Sequence, residues 1–289
     1  MTQTSKNLKQ RLNSGEFIIA PGIYDMIGAV VCNKVGFDFV YASGYWSTAS
    51  AYGLPDAGIS TFTQMLDRYS ILCRTVNAGV IADADTGYGG LLNVHHTVKD
   101  FEAAGICAIQ IEDQEFPKRC GHTPGKRVVE TSEMVDKIKV ACAARENPDE
   151  TVIIARTDAR APNGFKDAMD RGLAFETAGA DVVFIEALHS EDEMREACKL
   201  INKPMMANMA NGGVTPIRPK DELADIGFQL AIFPAICSLS AAAAIEKSLN
   251  TLKEYGTSEA NDLDMFDFQE FNQLIGFPEV WEFEKKWAK

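Results

Sequence analysis

Asp83 and Asp85 stand two residues apart at the end of the apolar run GVIADAD. On a strand, residues i and i+2 point to the same side. Glu112 closes the run CAIQIED in the same manner, and Asp56 lies in the segment YGLPDAG. Carboxylates gathered around one space without a cation are driven toward protonation or apart. A hard divalent cation removes the conflict, and an all-oxygen set without His or Cys favours Mg²⁺ or Mn²⁺ over Zn²⁺. A single Asp in a loop reads as a helix cap or a surface ion pair; a set at successive strand ends points to a metal site.

A second chemistry resides in residues 117–126, PKRCGHTPGK, a basic and glycine-punctuated loop in an otherwise acidic chain. Cys120, flanked by Arg119 and His122, is placed to hold a proton that it can give or take near neutrality. Gly121 and Gly125 supply hinges for a lid that closes over bound substrate. The spacing alone leaves an inert loop cysteine equally open. Zinc binding is disfavoured, because no second Cys/His pair lies at a suitable distance.

The elements that must position these groups are eight short, nearly continuous apolar runs. They begin near Glu16, Phe37, Gly79, Cys107, Thr151, Asp181, Pro204 and Gln229. Such runs suit parallel strands covered on both faces. Between them, helical patterns are expected over 93–104, 132–144, 165–178, 191–201 and 220–226. Eight strand–helix units in a chain of 289 residues predict an α/β fold, a (β/α)8 TIM barrel in one domain. A doubly wound sheet is the runner-up, but it would need a glycine-rich nucleotide-binding turn after an early strand, and none occurs.

In a barrel the site is built at the C-terminal ends of the strands. Those ends read Tyr41, Ser43 and Gly44; Asp83 and Asp85; Glu112 and Asp113; Arg156, Thr157 and Asp158; Glu186; and Asn208. His95, His96 and His189 read as surface histidines, and Met205, Met206 and Met209 as core. The segments Gly87–Gly90 and 211–213 are weak candidates for a phosphate cradle and a tight turn.

Composition narrows the function further. Lys plus Arg number 28 against 41 Asp plus Glu, a net charge of −13 that repels nucleic acid and anionic membranes. The most apolar stretch, 230–245, is too short and broken to span a bilayer. Seven cysteines without a CxxC motif, and an N-terminus without an apolar signal region, predict reduced thiols in the cytoplasm. Residues 246–289 are expected as a C-terminal helical segment. Its rings (Phe266, Phe268, Phe271, Phe277, Trp281, Phe283, Trp287) must pack against the barrel or a neighbouring subunit.

The motifs SGYWSTASAYGLPDAG, IADADTGYGG, IEDQEFPKRCGH, ARTDA, FIEA and ANM together resemble the isocitrate lyase and phosphoenolpyruvate mutase superfamily, over about residues 21–256. KRCGH resembles the signature of its carbon–carbon lyase branch, and the phosphonate-forming mutases lack that loop. In length the chain is similar to methylisocitrate lyases, 2,3-dimethylmalate lyases and oxaloacetate hydrolases. The segment 208–216, NMANGGVTP, has a Gly-Gly pair like the latter two groups. It departs at Ala210-Asn211 from the acidic residue usual there, which leaves the substrate open.

The resemblance implies a barrel that swaps its eighth helix between subunits of a homo-oligomer, a dimer of dimers. It implies Mg²⁺ carried by Asp83, with Asp56, Asp85 and Glu112 reaching it directly or through water. Ser43 and Gly44 are expected to hold a substrate carboxylate. Tyr45, Lys118, Arg119, Gly121 and Asn208 are the remaining substrate contacts. The expected reaction cleaves the carbon–carbon bond of a 2-hydroxy di- or tricarboxylate, releasing a 2-oxo acid and a carboxylate. The cation offsets the charge of the alkoxide. Arg156 stabilises the leaving enolate. Cys120 protonates it, with His122 and Glu186 tuning the thiol, and the initiating base is Tyr41 or a metal-bound water. The alternatives are an oxaloacetate hydrolase or decarboxylase, a non-catalytic barrel, and phosphonopyruvate chemistry, the last two disfavoured by the loop.

Overall fold

The computed structural model describes residues 7–121, 123, 125–259 and 263–288. His122 lies outside the described residues. All eight expected strands form: β1 (Ile18–Pro21), β2 (Phe39–Ala42), β3 (Gly79–Asp83), β4 (Ile106–Glu112), β5 (Val152–Thr157), β6 (Val182–Ile185), β7 (Met206–Asn208) and β8 (Leu230–Phe233). Every pairing is parallel. β2 to β6 run side by side, and β1, β8 and β7 form a second group. Single bridges, Gly22 to Tyr41 and Val183 to Met205, join the two groups into a closed ring. The protein is therefore the expected (β/α)8 barrel.

Strand alternation divides the core. Ile18, Ala20, Phe39, Tyr41, Ile81, Ala108, Ile154, Phe184, Met206, Leu230 and Ile232 form the barrel interior. The intervening residues, such as Val40, Val80, Ile109 and Ile153, pack outward against the helices. The five expected helices are present with ends shifted by at most two residues: Leu91–Ala103, Thr131–Ala144, Phe165–Ala178, Glu191–Leu200 and Lys220–Ile226. The helices Met26–Val35 and Phe62–Thr75 escape the periodicity reading but carry clear start signals. Asp25 Oδ1 accepts from the Gly28 N–H at 2.7 Å, and Thr61 with Gln64 forms a reciprocal cap.

The end of the barrel opposite the site is plugged. The helix Leu8–Asn13 inserts Leu8 and Leu12 among the interior residues. Lys9 pairs with Asp181 at 2.9 Å and Arg11 with Asp38 at 2.9 Å.

The eighth barrel helix, Ile236–Tyr255, behaves differently from the others. It buries only Ser238 and Thr251, and leaves Ile245, Leu249, Leu252 and Tyr255 at least half exposed. It starts ten residues before the expected segment, so the apolar stretch 230–245 splits into β8 and the start of this helix. Two further helices follow, Phe268–Leu274 and Phe277–Trp287, with Trp281, Phe283 and Trp287 exposed. No described helix is long and apolar enough to cross a membrane.

Glu102 ties the barrel's lower loops together. Its carboxylate accepts from the Glu146 and Asn147 N–H groups and the Thr151 hydroxyl, each at 2.7 Å. Burial acts to raise its pKa, but these hydrogen bonds win and lower it. Replacing Glu102 by Ala is expected to cost about 2 kcal/mol in urea unfolding at neutral pH. A carboxylate with a lowered folded pKa contributes stability that is lost as pH falls through that pKa. The gap between parent and variant should therefore shrink below the ordinary glutamate range.

Candidate active site

The parity that fills the barrel with apolar side chains also delivers the site. Continuing the inward rows toward the strand ends gives Tyr41, Asp83, Glu112, Arg156, Glu186 and Asn208, all of which line one cavity of about 340 Å³. Ser43, Tyr45, Asp56, Lys118, Arg119, Cys120 and Gly121 line it as well. Gly44 and Asp85 stand just behind. A Cβ on Gly44 would lie 3.1 Å from Asp83 Oδ2 and 3.3 Å from Asp85 Oδ1.

Arg156 is the centre of the mouth. Its guanidinium pairs with Asp158 through Nε (2.8 Å) and Nη2 (3.0 Å). It also approaches Glu112 Oε2 at 3.3 Å and Glu186 Oε2 at 3.2 Å. Burial alone would raise the Asp158 carboxyl, yet the guanidinium and the Lys126 ammonium hold it down to about 2. Asn208 Nδ2 donates to Glu186 Oε2 at 3.0 Å, and the Ala187 N–H to Glu186 Oε1 at 2.8 Å. These bonds leave Glu186 little freedom to turn away.

The acidic side carries more charge than its surroundings neutralise. Asp56, Asp83, Asp85, Glu112, Asp158 and Glu186 outnumber the cations Lys118, Arg119, Lys126 and Arg156 among the described residues. Burial raises Asp85 to about 6 and pushes Glu112 well above the carboxylate range. Lys118 Nζ sits between Asp56 at 2.5 Å and Asp85 at 2.7 Å. Burial would lower its ammonium pKa; the carboxylates of Asp85, Glu112 and Asp56 more than reverse this.

These residues fit a hard divalent cation. The donors are all oxygens, and the carboxylates of Asp56 and Asp85 already gather around one positive charge, the Lys118 ammonium. No three metal-binding side chains among the described residues close around one point. A cation held here would keep part of its water shell, as Mg²⁺ does readily.

The helix Gly44–Tyr52 begins at the cavity, and Ser43, its N-cap residue, makes no side-chain capping bond. The start of such a helix offers unsatisfied N–H groups suited to a carboxylate. The Gly44 N–H donates to Asp83 Oδ2 at 3.2 Å. Two of the expected site residues have further partners. The Tyr41 hydroxyl donates to Gln110 Oε1 at 3.1 Å, and burial pushes its pKa well above normal. Lys118 reaches the acidic cluster as well as the cavity, so it is a partner of Asp56 and Asp85 rather than a substrate contact alone.

The Cys120 loop leaves β4 through a short antiparallel closure. Gln114 bridges Val128, the Glu115 N–H donates to the Arg127 carbonyl at 2.9 Å, and the Val129 N–H to the Asp113 carbonyl at 2.9 Å. Gln114 clamps the rising arm. Its Oε1 accepts from the Arg119 N–H at 3.0 Å, and its Nε2 donates to the Arg119 carbonyl at 2.8 Å and to Glu112 Oε1 at 2.9 Å. The loop comes down on Arg156 at Gly121, where an added Cβ would lie 2.3 Å from Nη2 and 3.0 Å from the Glu186 side chain. Only a residue without a side chain admits this approach.

Trp46, Gln110, Gln114 and Lys126 were not singled out by the sequence. Gln110 follows the inward parity of β4, and its Nε2 approaches Asp83 Oδ1 at 3.4 Å. The alternation could have found it; nothing local marks the other three.

Residues 8–253 match the family described as phosphoenolpyruvate phosphomutase. The chain belongs to this family. It is 40% identical over 285 residues to a 2,3-dimethylmalate lyase of Eubacterium barkeri, covering 99% of this chain and 98% of the relative. It is 39% identical to a 2-methylisocitrate lyase of Halalkalibacterium halodurans, covering 99% and 94%. Among solved structures, a 2,3-dimethylmalate lyase described as a PEP mutase/isocitrate lyase superfamily member superposes with a TM-score of 0.91 at 34% identity, covering 100% and 96%. An oxaloacetate acetylhydrolase bound to 3,3-difluorooxalacetate gives 0.91 at 31%, covering 97% and 95%. A phosphonopyruvate hydrolase holding oxalate and Mg²⁺ gives 0.88 at 29%, covering all of both chains. The resemblance of the motifs thus extends over almost the whole chain.

The contact at Gly121 generates a prediction. Gly121→Ala should lower kcat/KM by about 100-fold, the scale of a 1 Å misplacement, while the thermal midpoint stays within a few degrees of the parent. Steady-state kinetics alongside calorimetry would measure both.

Proposed function

We propose that this protein is a divalent-cation-dependent carbon–carbon lyase that cleaves a 2-hydroxy dicarboxylate carrying alkyl groups into a 2-oxo acid and a carboxylate. One observation carries this reading: the Cys120 loop, the Arg156 guanidinium and the carboxylate cluster share a single cavity. Relatives named as lyases support it along the chain's full length.

Asp83, with Asp56, Asp85 and Glu112 around it, would hold Mg²⁺ or Mn²⁺. When bound, the cation supplies positive charge that orients the 2-hydroxy acid end and acidifies its hydroxyl. The chain's own residues do the rest. Ser43 and the N–H groups that follow it bind a carboxylate. The hydroxyl proton passes to a carboxylate of the acidic cluster, the hydroxyl-bearing carbon becomes the carbonyl of the 2-oxo acid, and the electron pair of the bond to its neighbour passes to the departing carboxylate fragment. Arg156 stabilises that enolate at low dielectric. Cys120 then gives its thiol proton to the fragment's carbon, and Glu186, fixed by Arg156 and Asn208, shapes the field around the loop.

The wall formed by Ile232, Pro234, Ala235 and Leu239 is apolar. It suits alkyl substituents better than a third carboxylate, which favours alkylmalates over tricarboxylates. Hydrolysis of oxaloacetate is the second reading, favoured by the likeness to oxaloacetate acetylhydrolase. The exposed apolar face of the helix Ile236–Tyr255 and the aromatic C-terminus suit a second copy of this chain, giving a helix-exchanged homo-oligomer. The cysteine usage supports a cytoplasmic setting.

A Mg²⁺-dependent assay over malates, alkylmalates, methylisocitrate, isocitrate and oxaloacetate tests the reading. Pyruvate from an alkylmalate supports it; oxalate plus acetate from oxaloacetate alone overturns it. Cys120→Ser should lower kcat by about 10²- to 10⁴-fold with metal binding intact. Asp83→Ala should abolish the dependence on added metal.

A further inference from the structure

Lys126 stands at the far end of the Cys120 loop with its ammonium buried. Taking a lysine out of water is costly, and an apolar side chain would serve mere packing better. Here two acceptors offset that cost. The ammonium donates to the Gly121 carbonyl, next to Cys120, and to Asp158 Oδ1 at 3.1 Å. Asp158 is the residue that grips Arg156 through both its oxygens.

Asp158 is itself immobilised from behind. Its N–H donates to Asp113 Oδ1 at 2.9 Å. Asp113 Oδ2 takes the Thr157 hydroxyl at 2.7 Å and Arg171 at 3.1 Å. A rigid line therefore runs from the barrel wall through Asp158 to both Arg156 and the loop. Lifting the loop would withdraw Lys126 from Asp158 and remove Gly121 from the face of Arg156 in the same movement.

We propose that Lys126 is the latch of the Cys120 loop: a positioning residue whose ammonium, seated between the Gly121 carbonyl and Asp158, makes loop closure and Arg156 alignment one event. Its catalytic meaning rests on the roles given above to Cys120 and Arg156. The latch itself concerns the loop and can be tested without turnover.

The test is alkylation of Cys120 by iodoacetamide, followed by peptide mass spectrometry that resolves it from the other cysteines. Parent, Lys126→Met and Lys126→Arg are compared, with and without Mg²⁺ plus oxalate. Losing a nearby cation raises a thiol's pKa and slows its alkylation, so acceleration reports opening of the loop. Lys126→Met is expected to speed Cys120 modification about tenfold in at least one of the two conditions, the effect of losing a buried charge-assisted hydrogen bond. The other cysteines should keep their parental rates, and Lys126→Arg should restore most of the protection. On an alkylmalate substrate, Lys126→Met should lower kcat with little change in KM. Parental Cys120 rates in both conditions overturn the latch. So does a general rise at every cysteine, which would make Lys126 a support of the fold rather than of the loop. Absence of turnover on any hydroxy acid would strike the lyase reading and leave the alkylation result standing.

Discussion

A guanidinium buried among three carboxylates is the constraint on which the rest of this molecule turns. Arg156 cannot be uncharged at any ordinary pH, and it cannot be buried without partners. Asp158, Glu112 and Glu186 satisfy it from three different strand ends, so the positions of β4, β5 and β6 are locked to one another at the mouth. Its environment then dictates the neighbours. The acidic residues needed to bury Arg156 add to those of Asp56, Asp83 and Asp85, and the sum exceeds what the local cations balance. In the proposed reaction the same group would stabilise the departing fragment and, through its partners, add to the negative charge that a divalent cation would offset.

Much of this was legible in the chain because barrel strands obey a period of two. Once Ile81 and Ile154 are assigned to the interior, Asp83 and Arg156 must face the same space two residues later. That arithmetic recovers the fold and the polar ring at the strand ends, Asp83 and Glu112 included. The glycine and proline punctuation around Cys120 marks a loop, and its basic character marks it as one that meets the acidic mouth. The five helices with apolar stripes were legible through their own period of 3.6.

Illegible features arise where partners are distant along the chain. The clasp of Gln114 on Arg119 depends on a loop folding back on its own stem, and the pairing of Lys126 with Asp158 crosses an intervening helix and strand. The hydrogen bond from Tyr41, one of two candidate bases, to Gln110 on a different strand has no local sign either. Lys118 lines the cavity, but its pairing with Asp56 and Asp85 joins segments far apart in the chain. The eighth helix was visible only through its aromatic sequel. Its exposed apolar face follows from leaving the barrel instead of lying upon it, and no local pattern records that departure.

Leu8 and Leu12 extend the packed interior down to the base of the barrel, so among the described residues the cavity has an apolar floor and is reached from the rim where the loops meet. In the proposed cleavage both products would leave on that side.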